Sequence, residues 1–140
     1  MDPYDNLLAD NPFEQAEKLP VTGSVVVLMD IDYEDRGLEL ITPLSRALPA
    51  GEVHELIVTD ESNPRESSVN DCSVIGFLEI DRGGVVAVGD EVYLAEDQIG
   101  TIAGFDASHA PNHYNIVVQA DNPKPGVKMD IDLCASIEFE

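Results

Sequence analysis

Positive charge is scarce in this chain. Seven Lys and Arg stand against 28 Asp and Glu in 140 residues, a formal charge of −21 at neutral pH. Nucleic-acid and anionic-membrane binding depend on Lys and Arg that displace counterions from phosphates. The seven here (Lys18, Arg36, Arg46, Arg65, Arg82, Lys124 and Lys128) are scattered, so neither partner is expected. Long apolar runs are also missing. None approaches the roughly 20 residues of a membrane helix. The opening Met1-Asp-Pro-Tyr-Asp-Asn lacks the basic and apolar regions of a signal peptide. A cytoplasmic, soluble protein is the expectation. Catalytic signatures are missing too. There is no G-x-x-x-x-G-K phosphate loop, none of Ser68, Ser73 or Ser108 sits in a G-x-S-x-G turn, and no repeat of fixed period occurs.

Cysteine occurs twice, at Cys72 and Cys134, without CxxC spacing. Both read as buried small hydrophobes in strand-like surroundings, a disulfide between them being the alternative. The acidity has two readings: a solubilising surface, or a cytoplasm at high salt, where screening tolerates self-repulsion.

What is present is an ordinary apolar fraction, 44%, enough to build a core in a chain of this length. Residues 1–20 read as a partly ordered extension punctuated by Pro3, Pro12 and Pro20. Within it Phe13 to Leu19 is expected to form a short helix, capped by Asn11 with Pro12 in its first turn. Residues 21–140 read as one β-barrel domain. Strands are expected at 25–32, 53–59, 72–80, 85–88, 91–94, 99–105, 114–119 and 129–139, with a polar loop over 60–70. Pro43 is expected to open a helical turn at Leu44–Leu48. The fold class is therefore all-β: a small barrel of short, mostly antiparallel strands with one or two helical turns.

Chemistry-bearing residues concentrate in Gly100-Thr-Ile-Ala-Gly-Phe-Asp-Ala-Ser-His-Ala-Pro-Asn-His-Tyr-Asn-Ile116, a polar connection between two apolar runs. His109 and His113 have the H-x3-H spacing that lets two imidazoles share a metal on a helix. Pro111 between them argues against a helix. Asp106 adds a carboxylate and Asn112 or Asn115 a carbonyl oxygen. The alternative is that the same side chains cap a turn. Asp30, Asp32 and Glu34 alternate like the start of a calcium loop, but Asp35 stands where an EF-hand needs Gly. They read as the solvated face of a strand, as do Asp130 and Asp132. The adjacent acids Glu79 and Asp81 read as solvated as well.

From Leu56 onward the order of motifs resembles the glucitol/sorbitol-specific IIA component of the bacterial phosphotransferase system. The matching stretches are Leu56-Ile-Val-Thr-Asp-Glu-Ser62, Asp71-Cys-Ser-Val-Ile-Gly-Phe-Leu-Glu-Ile80, Val88-Gly-Asp-Glu-Val92, Ile99-Gly-Thr-Ile-Ala-Gly104, Asn112-His-Tyr-Asn-Ile-Val117 and Pro125-Gly126. The resemblance implies a small β-barrel that carries a phosphoryl group on a histidine just after a cysteine like Cys72. Ile75 stands at that place here, and an aliphatic side chain cannot accept a phosphoryl group. What it implies is the scaffold without the activity.

The function expected is a non-enzymatic β-barrel module that binds a small polar ligand or a partner protein. The ligand would contact Asp106, His109, Asn112, His113 and Asn115. No cofactor is required by this reading. A second reading is a metal-dependent enzyme that uses His109 and His113, with His54 brought near by folding, and implies a divalent metal. A third is a phosphocarrier on another histidine, His113 first. Exposed edge strands would also allow a homodimer.

Overall fold

A computed structural model describes residues 11–140. The described residues form nine strands: β1 (Val21–Tyr33), β2 (Ser45–Leu48), β3 (Val53–Thr59), β4 (Cys72–Arg82), β5 (Gly84–Ala87), β6 (Glu91–Leu94), β7 (Asp97–Asp106), β8 (Asn115–Gln119) and β9 (Ser136–Phe139). Seven of them close a barrel in the order β1-β4-β3-β8-β7-β6-β9, while β2 and β5 pair as a separate ribbon. Every pairing is antiparallel except β3 with β8. Among the described residues the two helical segments are single 3-10 turns at Pro12–Gln15 and Gly126–Lys128. No helix among the described residues is long and apolar enough to cross a membrane.

The alternation of side chains along each strand builds two cores rather than one. Leu56, Val58, Ile75, Leu78, Phe105, Ile116 and Phe139 point inward and fill the barrel. Ile57, Val74, Ala103 and Val117 point outward, yet they too are buried. Their cover is the chain on either side of the bridge between Leu38 and Val69, whose side chains complete the second cluster. Each such aliphatic group contributes about 1.5–3 kcal/mol on burial, so this outer layer belongs to the folded unit. Arg65 pins it, donating to the carbonyls of Ile41, Thr42 and Ala103. The carboxylate of Glu61 pins the other side by accepting from the amides of Asn70 and Asp71.

Barrel closure requires backbones to approach closely. β1 runs for 13 residues and shifts register three times against β4, which lets one strand bend around the wall. At Gly76 of β4, φ is +153° and a Cβ would fall 1.7 Å from the carbonyl oxygen of Val27. Only glycine fits there.

Three local expectations are corrected. Leu44–Leu48 forms no helical turn: Ser45–Leu48 is a strand held by β5, because five residues nucleate a helix poorly and the ribbon supplies hydrogen bonds. The last strand is only Ser136–Phe139. The chain turns at Leu133 and Cys134, where φ is +72°, and Cys134 N–H donates to the carbonyl of Val25. Asp130 and Asp132 are therefore exposed but not on a strand, whereas Asp30, Asp32 and Glu34 are exposed on and just beyond β1. The helix expected over Phe13–Leu19 is one turn that ends at Gln15, with the Asn11 side chain accepting from Phe13 N–H. Residues 1–10 of the expected extension lie outside the described residues. Residues 11–20 meet the barrel through Asn11, which donates to the carbonyl of Val88, and through Lys18, 2.6 Å from buried Asp90.

The cysteines are unpaired, and only Cys72 is buried. Cys134 lies exposed in its turn, contrary to the expectation for it. Burial pushes the Cys72 thiol up to about 11. A thiol reagent at neutral pH should therefore modify Cys134 alone in the native protein and both after denaturation. For Gly76→Ala, urea unfolding should show a loss of about 2 kcal/mol or more.

Candidate functional site

The connection from β7 to β8 is built on one buried carboxylate. Asp106, 4% exposed, ends β7 opposite Asn115, which opens β8. Its Oδ1 accepts from the backbone N–H and hydroxyl of Ser108 and from the Asn115 amide. Its Oδ2 accepts from Glu39 N–H in the covering layer. Burial would raise the Asp106 carboxyl, but these donors outweigh it and hold the group below its ordinary value of 3.8. Of the expected ligand residues, Asp106 and Asn115 are thus committed to holding the connection, although Asn115 Oδ1 remains buried and without a partner. The segment between them is a turn, not a helix.

That turn lays His109 and His113 over the outer wall. Their rings stack, 4.9 Å between centroids and 25° between planes. His109 is exposed; His113 is half-buried and packs T-shaped against Phe77, with 5.2 Å between ring centroids. Beneath them is Glu55 of β3, 9% exposed, on the same outward face as Ile57. β3 and β8 run parallel with Glu55 opposite Asn115, so the carboxylate lies at the foot of the histidine turn. One donor atom each from Glu55, His109 and His113 lies within 4.8 Å of the others. Glu55 Oε2 and His113 Nε2 are buried without hydrogen-bond partners, a cost that needs a reason.

Burial raises the Glu55 carboxyl above its ordinary value, with Asp106 adding to it and His109 and Arg36 opposing. Burial lowers His113, helped by His109 and His54, with Asn115 opposing. Arg36 reaches in from the covering layer. Its Nη2 lies 3.3 Å from His109 Nε2, and because a guanidinium cannot accept, the imidazole must. Arg36 also lies over the Tyr33 ring at 5.2 Å.

His54 does not join this group. It points to the inner side of β3, where its Nδ1 accepts from Tyr114 N–H and its Nε2 donates to Glu52. Both nitrogens are used, so His54 offers no free lone pair. Asn112 lies exposed at the tip of the turn and faces a cavity shared with His113. Glu55 and Arg36 were not among the residues expected from sequence. The only sequence signal for Glu55 was a carboxylate in the middle of the apolar run Val53–Thr59.

Fold and site together define a small closed β-barrel with a histidine–carboxylate cluster on its outer wall. The chain belongs to DUF6917, a family of unknown function whose model matches residues 15–140. No curated protein matches it, and neither does any solved structure.

The Asp106 assignment is testable by titration. A carboxyl depressed in the folded state contributes stability above 3.8, lost as pH falls through the folded value. Asp106→Ala should lower stability at neutral pH by about 2 kcal/mol. Its difference from wild type in urea unfolding should narrow below pH 3.8.

Proposed function

We propose that this protein is a β-barrel binding module that holds a divalent transition-metal ion at Glu55, His109 and His113. The observation that carries this reading is the convergence of three ligand atoms, with buried, unpartnered polar atoms on Glu55 and His113. Two imidazoles and a carboxylate suit Zn²⁺, Fe²⁺, Co²⁺ or Ni²⁺ better than Mg²⁺ or Ca²⁺, which prefer oxygen. Bonds of about 2.1 Å bring neighbouring ligand atoms to about 3–3.5 Å, so the 4.8 Å group closes by small rotations of the two ring side chains. Three protein ligands leave coordination positions for a small polar ligand, the wider function expected from the sequence. We carry the likeness to the IIA proteins no further than the scaffold. Ile75, at the place of their phosphorylated histidine, is 1% exposed in the barrel core.

Arg36 sets the conditions for loading. A neutral imidazole has one ring lone pair, and Arg36 takes that of His109. Whichever nitrogen binds the ion, the Arg36 contact must break. Proton competition has the same sense at each ligand, since binding requires deprotonated Glu55 and neutral imidazoles.

Isothermal titration of chelator-treated protein with ZnCl2 at pH 7.5 should show one site, weakening as pH falls. His109→Ala/His113→Ala and Glu55→Gln should abolish it. Because the raised Glu55 carboxyl favours its neutral form when folded, Glu55→Gln should also raise the melting temperature of chelator-treated protein at neutral pH. Arg36→Gln should bind Zn²⁺ about tenfold more tightly. Equal affinity in wild type and Glu55→Gln would refute the site.

A further inference from the structure

On the other side of His113 a cavity of about 210 Å³ opens, and Arg46 of β2 forms one wall of it. The Arg46 guanidinium carbon lies over the Tyr114 ring, 3.6 Å from its centroid. Its Nε–H is buried without a partner. In a chain with four acids for each base, Arg46 forms no salt bridge among the described residues. Glu52, the carboxylate that lines the same cavity, bonds His54 instead and keeps half its side chain in solvent.

We propose that this cavity is a subsite for a small organic monocarboxylate. Tyr114 lies against one face of the guanidinium, and because its N–H bonds all lie in the guanidinium plane, they fork onto a planar carboxylate from the edge. The orphaned Nε–H is one tine of that fork. Val53 and Pro111 supply apolar wall for a short alkyl tail, and Asn112 supplies an amide at the mouth. The net charge of −21 repels a dianion more than a monoanion, which favours carboxylate over phosphate. The subsite shares His113 with the metal cluster but uses no ion, so it stands independently of the metal reading.

The test follows the Arg46 side-chain Nε–H resonance during titration with sodium propionate in the presence of EDTA. A parallel titration with NaCl at matched ionic strength corrects for screening. Propionate should shift the resonance saturably, and inorganic phosphate should do so more weakly. Calorimetry should show propionate binding weakened about tenfold or more in Arg46→Gln and unchanged in Arg82→Gln, whose arginine is exposed and lies outside the cavity. Arg46→Lys should fall with Arg46→Gln, since a point charge cannot replace the fork. An unmoved Nε–H, phosphate binding as tight as propionate, or undiminished propionate binding by folded Arg46→Gln would overturn the proposal. Because EDTA is present throughout, failure of metal binding leaves this result unaffected.

Discussion

The buried carboxylate of Asp106 ties together three parts of the molecule that the chain separates. It closes the turn after β7, receives the amide of Asn115 at the start of β8, and receives the backbone of Glu39 in the covering layer. A charge in such a place is tolerated only because its donors hold it in ionised form. With it in place, the eight residues between Asp106 and Asn115 are held against the barrel wall. Both histidines and the Arg36 segment are positioned by this arrangement.

The second constraint is the parallel pairing of β3 and β8 in an otherwise antiparallel barrel. It puts Glu55 beside Asn115, under the histidine turn. The outer hydrophobic layer then removes water from that carboxylate. The same burial that makes Glu55 reluctant to ionise leaves its Oε2 unpartnered and lowers His113. Each group becomes easier to understand in the presence of a cation that both could bind. Across His113, Arg46 shows the complementary imbalance, a buried donor without an acceptor.

Much of the fold was legible because strand alternation is local. The runs at 53–59, 72–80 and 99–105 needed only their own residues to be recognised. The polar connection at 106–115 was legible for the same reason, a crowd of donors and acceptors between apolar runs. What failed depended on distant partners. Ser45–Leu48 is a strand because β5 lies beside it, and Cys134 is exposed because the last strand starts two residues later. Glu55 escaped notice because it alternates onto the face that points away from the barrel interior, and such a face ordinarily means solvent. Nothing near Glu55 in the sequence signals that Leu38 and Val69 cover that wall. His54, conversely, looked available until its two nitrogens were seen bonded to Tyr114 and Glu52.

Imidazole nitrogen NMR during Zn²⁺ addition tests the central claim most directly, because it reports each of the three histidines separately. The account predicts that one ring nitrogen of His109 and one of His113 take on the shift of a metal-bound nitrogen at one equivalent. His54 should keep its Nε2–H tautomer throughout. Unchanged spectra for His109 and His113, or a metal-bound signal on His54, would contradict it.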